Sequence, residues 1–223
     1  MNDTEQLGIF VTQKKPQLPK VEPPLLPETS FLSLEDAKEA AMNCKKCILA
    51  QSRTKVVFSQ GNPEAKVMLI GEGPGQHEDE SGIPFVGRAG QLLDKIFESV
   101  DIVRERDVYI CNIVKCRPPK NRVPAPEEMD CCYDYLAAQI RYVNPKIILL
   151  AGSTAVKGIL KTKQGITKIR GTWYENVFGA KAMPIFHPSY LLRNQSKQVG
   201  SPKWLMWQDI QEIKRQMDLI ENC

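Results

Sequence analysis

Strand-like and helix-like stretches alternate along most of this chain, and that alternation limits its fold more than any other feature. The apolar runs at 66–70, 108–114 and 146–151 are short and rich in branched residues, as buried strands are. Helical spacings lie between them. Leu92, Leu93, Ile96 and Val100 line one side of a helix expected over 89–100. Pro126 suits the first turn of a helix running to about Val143. A short helix is expected from Ser153, further strands over 173–178 and 182–186, and a last helix over 202–220 with Trp204, Trp207, Ile210 and Ile213 on its apolar side. The pattern predicts an α/β fold, a central mostly parallel sheet flanked by helices in three layers.

Order is expected to begin near Ser33, which with Asp36 suits the cap of a helix reaching about Asn43. Upstream, Pro16, Pro19, Pro23, Pro24 and Pro27 interrupt a stretch without helical or strand period. Residues 1–30 therefore read as a flexible tail and 31–223 as one domain. The tail could instead dock a replication or repair partner, although no residue in it selects one. A net charge of +4 and a pI near 8.6 permit a nucleic-acid partner without requiring one. No apolar run approaches the ~20 residues of a membrane span, and Met1–Glu5 lacks the start of a secretory signal. A soluble, cytoplasmic monomer is expected, with no membrane partner. Seven cysteines in such a chain suit metal ligands or free thiols better than disulfides.

In open parallel sheets, ligands bind beyond the carboxyl ends of the strands. Three unusual segments fall there: Gly71-Glu72-Gly73-Pro74-Gly75 after the first run, Asn112 near the end of the second, and His187 after the last. Glycines let a ligand approach the main chain. A dinucleotide loop is excluded because Gln76 stands where its third glycine belongs, and there is no phosphate loop. Residues 78–90 read as a long irregular stretch, in which Phe85 is either a core residue or a platform for a flat ligand. Cys44 and Cys47 form a C-x2-C pair, and Cys116 and Cys132 follow far along the chain. Four thiolates can hold a [4Fe–4S] cluster or a structural zinc. Cys131 adjoins Cys132, and spacing does not choose between them; Cys111 and Cys223 read as non-ligands.

Together these stretches resemble the family 4 uracil-DNA glycosylases, the iron–sulfur type. GEGPG at 71–75, GIPFVGRAGQLLD at 82–94, YICNIVKCRPPKNRVPAPEE at 109–128, HPSYLLRN at 187–194 and SPKWLMWQDI at 201–210 carry the likeness. It implies a [4Fe–4S] cluster on Cys44, Cys47, Cys116 and Cys132. It implies a uracil pocket of Glu72, Gly73, Phe85, Asn112 and His187, with Glu72, Asn112 and His187 in catalytic roles. A related branch that becomes trapped on DNA through a histidine is disfavoured, since no histidine-bearing insert appears around 117–124.

The expected activity is hydrolysis of the N-glycosidic bond of uracil in single- or double-stranded DNA, leaving an abasic site for base excision repair. The base must be flipped out. Phe85 would stack on it, Asn112 would read N3–H and O4, His187 would stabilise the leaving base, and Glu72 would stabilise the sugar cation or orient water. DNA contacts are expected from Ser189, Tyr190, Leu191 and Arg193, with Leu191 as a wedge. A second basic stretch runs through Lys115, Arg117, Lys120 and Arg122. Two alternatives remain: a non-catalytic metal-cluster module that binds nucleic acid, and a superfamily relative acting on deaminated purines.

Overall fold

The computed structural model describes residues 28–221. The expected tail lies outside the described residues up to residue 27, and so does Cys223. Strands β1 (Gln60–Gly61), β2 (Val67–Gly71), β3 (Val108–Asn112), β4 (Ile147–Ala151), β5 (Tyr174–Val177) and β6 (Ala180–Ile185) form one sheet in the order β1-β3-β2-β4-β6-β5. The four inner strands are parallel, while β1 and β5 close the edges antiparallel. Every residue of β2, β3 and β4 is buried, which parallel strands require when helices cover both faces.

Side-chain alternation along the strands divides the core in two. Met68, Ile70, Tyr109, Cys111, Ile148 and Leu150 face helices α1 (Leu34–Met42), α5 (Pro126–Val143) and α6 (Ser153–Leu160). Val67, Leu69, Ile110, Leu149 and Met183 face α3 (Arg88–Glu98), α8 (Pro188–Arg193) and α9 (Pro202–Glu221). The remaining helices, α2 (Gln76–Ser81), α4 (Arg104–Asp107) and α7 (Ile166–Ile169), are single short turns.

The Ser33 cap is present: its hydroxyl accepts from the Asp36 amide at 3.0 Å. Just upstream, the hydroxyls of Thr29 and Ser30 donate to the Asp134 carboxylate on α5 at 2.8 and 2.7 Å.

Three expectations need correction. The buried stripe of α9 is Met206, Ile210, Ile213 and Met217, while Trp207 is 41% exposed. These four follow each other at helical i+4, i+3 and i+4 spacing, which places Trp207 off their face. Residues 78–90 are not irregular throughout, because Glu78–Ser81 belong to α2 and Arg88–Gly90 to α3. Lys115 is not part of a solvated basic stretch; it is 1% exposed. Among the described residues, no helix is long and apolar enough to cross a membrane.

Candidate active site

The chain passes from β2 to β3 on one side and then to β4 on the other. Their carboxyl ends therefore part into a crevice, where ligands bind in sheets of this type. A cavity of about 560 Å³ occupies it. Glu72, Gly73, Phe85, Asn112, His187, Ser189, Tyr190 and Arg193 all line this cavity, so the three separated segments do meet.

The glycine loop is held close to β3. Past the last strand residue, the amides of Ile113 and Val114 still donate to the carbonyls of Gly71 and Glu72, at 2.9 and 3.2 Å. A Cβ on Gly71 would collide with the Asn112 side chain and come within 2.7 Å of the Phe85 ring; one on Gly73 would meet Val114 at 2.7 Å. Glycine at 71 is thus a packing requirement that lets Asn112 and the Phe85 ring close on the end of β2.

Asn112 is 2% exposed, and its Oδ1 has no hydrogen-bond partner in the protein. Leaving such an oxygen buried and unpaired costs roughly 1–3 kcal/mol. At the wall of a cavity, such an acceptor is free to take an N–H from whatever enters.

Phe85 is a core residue that also lines the cavity. It is buried in the core with α3, and its ring lies 5.6 Å from that of His187. Its backbone has φ of 55°, in the left-handed region. Three partners hold it there. Arg104, itself buried, donates to the Phe85 carbonyl at 2.8 Å, to the Pro84 carbonyl, and to Asp94 at 2.9 Å. The Glu78 carboxylate accepts from the amides of Gly75, Val86 and Gly87 at 3.1, 3.0 and 2.8 Å, cinching the loop across the cavity mouth. Gly90 packs flush on the Phe85 carbonyl, where a Cβ would clash.

His187 caps α8. Its Nδ1 accepts from the Ser189 amide at 3.2 Å and lies 2.8 Å from the Ser189 hydroxyl. The amide contact places the neutral ring's proton on Nε2, making that nitrogen the donor. The ring opens on the cavity but is otherwise walled by protein; this burial, with a smaller push from Arg193 and against a pull from Glu78, lowers its pKa from 6.5 to about 4. His187 is thus a neutral donor at physiological pH. As pH falls from 6.5 toward about 4 the unfolded chain takes the proton first, so stability drops across that window. The pH–rate profile is expected to show no histidine limb near pH 6.5 and to fall only as pH approaches about 4. A half-maximal rate near pH 6.5 would contradict this assignment.

Glu72 is oriented by a group that sequence reasoning missed: the Thr154 hydroxyl, at the start of α6, donates to its Oε2. The signal was available, since Gly152-Ser153-Thr154 follows β4 at the same sheet edge as the other three segments. A Cβ on Gly152, whose φ is 90°, would come within 3.0 Å of the His187 side chain.

Of the residues expected to touch DNA, Ser189, Tyr190 and Arg193 lie on the cavity rim, and Tyr190 packs on Phe186 with ring centroids 5.0 Å apart. Leu191 does not belong with them. It is 1% exposed in the core on the side of α3 and α9. Pro188 and Leu191 stand three apart and share the inward face of α8, so Leu191 is no wedge in this arrangement.

The cysteines lie on the other face of the sheet from Leu191. Cys116 and Cys132 are buried in one core cluster, with Cys44 and Cys47 packed against it. Cys47 lies within electrostatic reach of Cys44, Cys116, Cys131 and Cys132 alike. Burial raises the Cys132 thiol to about 11. Arg53 donates to the Cys116 sulfur at 3.2 Å and to the Cys44 carbonyl at 2.7 Å. Cys131 is half-buried, and its thiol donates to the Lys46 carbonyl at 3.6 Å. Among the described residues, no three donors are drawn close enough to count as a formed metal site.

Fold and cavity together define an α/β protein with an open, polar-lined cavity at its switch-point crevice. A family model described as the uracil DNA glycosylase superfamily matches residues 58–211. The chain is 45% identical to a type-4 uracil-DNA glycosylase of Thermotoga maritima over 81% of this chain and 93% of that protein. It is 42% identical to one of Sulfurisphaera tokodaii over 73% and 77%, and 40% identical to one of Archaeoglobus fulgidus over 72% and 83%. The chain belongs to the type-4 uracil-DNA glycosylase family.

Proposed function

We infer that this chain excises uracil from DNA by hydrolysing the bond between C1′ of deoxyribose and N1 of the base. The observation that carries the reading is the unpaired, buried Oδ1 of Asn112 at the cavity wall. Uracil presents N3–H to that oxygen and O4 to the neighbouring amide nitrogen. Cytosine presents an acceptor and a donor in the same two places, so both contacts fail. A site built on such hydrogen bonds discriminates by roughly 10⁴ or more.

The nucleotide is extruded from the stack, at a cost of a few kcal/mol, and its base lies against Phe85. As the C1′–N1 bond lengthens, negative charge grows on the base and positive charge on the sugar. The Nε2–H of His187 donates to O2 of the departing base and needs no prior protonation. Glu72, fixed by Thr154, faces the sugar and orients the water whose oxygen bonds to C1′. That water supplies the hydroxyl of the abasic sugar, and its proton balances the charge of the released uracil. Among the described residues, no lysine lines the cavity, in keeping with hydrolysis that leaves the DNA strand uncut. Ser189, Tyr190 and Arg193 would hold the flanking DNA, single- or double-stranded.

The donor set of Cys44, Cys47, Cys116 and Cys132 suits a [4Fe–4S] cluster by its chemistry: four thiols from three chain segments, all packed into the core on one face of the sheet. Such a cluster would supply a covalent brace between the segment after α1, the loop after β3 and α5. Cys132 is favoured over Cys131 because it points inward beside Cys116.

The reading is tested with oligonucleotides carrying uracil, hypoxanthine or xanthine, scoring free base and strand breaks. Free uracil with an intact abasic strand is expected. No base release would point to a binding module, and release of the purines alone to a relative of different specificity.

A further inference from the structure

We propose that Lys115 and Gln139 are a buried positioning pair that fixes Asn112 at the cavity wall, an inference that rests on the base-reading role given to Asn112 above. Lys115 is 1% and Gln139 0% exposed. A lysine so deep in a small domain is rare and needs compensating partners. Lys115 has two: its Nζ donates to the main-chain carbonyl of Asn112 at 2.5 Å and to Oε1 of Gln139 at 2.6 Å. Gln139 anchors the pair to the body of the fold, with its Nε2 donating to the Phe58 carbonyl at 2.9 Å and to the Tyr109 hydroxyl at 3.2 Å.

The contact falls on the last residue of β3. The Asn112 side chain reaches the cavity with its acceptor unpaired, so nothing on the ligand side holds it before substrate arrives. Gripping the peptide carbonyl sets the backbone angles of Asn112 and, through Cα, the direction of its carboxamide. Neither Lys115 nor Gln139 lines the cavity, so both act through Asn112 rather than on the base. Lys115 precedes Cys116, and Gln139 lies further along the helix that carries Cys132. The segments that gather two cysteines therefore also brace the base reader from behind.

The test uses Lys115→Met, Gln139→Met and the double variant, each in the full chain and each combined with Asn112→Ala. Methionine keeps the volume and removes the donors or acceptors. The double variant spares the Gln139 oxygen the unpaired state in which Lys115→Met alone leaves it, while the carbonyls of Asn112 and Phe58 and the Tyr109 hydroxyl each lose a partner. Gln139→Met, which leaves Lys115 on the Asn112 carbonyl without its anchor, is the fallback should the other two fail to fold, with a loss of kcat that again vanishes in the Asn112→Ala background. Melting temperature and visible absorbance check that each protein is folded and comparably loaded.

Misplacing a substrate-positioning group by about 1 Å costs on the order of a hundredfold in rate. Lys115→Met and the double variant are expected to lower kcat by about that factor while KM for DNA holds, because the α8 rim is untouched. In the Asn112→Ala background the same substitutions should change kcat by less than about twofold, within the error of independent sites. A folded double variant with wild-type kcat overturns the proposal. So does an equal loss in both backgrounds, which would mark a merely structural role. Wild-type activity of Asn112→Ala itself would overturn the base-reading assignment, and this inference with it.

Discussion

Replacing Asn112 with alanine is expected to lower kcat/KM for uracil release by about 10³–10⁴-fold while the protein melts at the same temperature or higher. The two halves of that result have one origin. Asn112 is buried, and its Oδ1 has no partner within the protein. In the free enzyme that oxygen is a liability of roughly 1–3 kcal/mol, so removing it offsets the small cavity that alanine leaves. With the flipped base in place, the same oxygen and its amide partner carry the discrimination between uracil and cytosine. A residue kept for packing behaves in the opposite way: truncation would lower the melting temperature and leave turnover alone. Kinetics and melting of the single variant separate the two.

Gly90→Ala is expected to destabilise the protein by about 1–3 kcal/mol and to raise KM together with lowering kcat. The sign is the informative part. Gly90 lies in the first turn of α3, and alanine in place of glycine within a helix ordinarily stabilises by up to about 1 kcal/mol. Here the added methyl would clash with the carbonyl of Phe85, which is backbone and has little room to move. That carbonyl is also pinned by Arg104 at 2.8 Å, and Glu78 ties down the next two amides. The strain must therefore either shift the aromatic wall or lift α3 from the loop. A melting temperature above wild type would show that Phe85 is not held in this way.

The fold was legible where burial is two-sided. The runs that became β2 and β4 are continuously apolar, because parallel inner strands meet helices on both faces. One edge was not: β1 is only Gln60 and Gly61, too short to carry a pattern. The other edge, β5, lies within the strand expected over 173–178, but its antiparallel pairing and register shift left no mark in the sequence. α2 was read as loop because its residues are almost all polar; a capping carboxylate, Glu78, holds it rather than an apolar face.

The site divides along similar lines. Glu72, Asn112 and His187 could be placed because each follows a strand at the same edge. The groups that hold them were missed: Thr154 follows β4 at that same edge but is 82 positions from Glu72, and Gln139, 24 from Lys115, lies inside a helix where no strand end marks it. Leu191 misled because its neighbours are on the rim. Its distance of three from Pro188, on a short helix, was the available hint that it turns inward.

The most direct test of the account is a crystal structure of the protein with free uracil. The account predicts the ring in the switch-point cavity against Phe85, its N3–H on Oδ1 of Asn112 and its O2 on Nε2 of His187. A well-ordered uracil bound elsewhere, or in this cavity with Asn112 still unpaired, would contradict it.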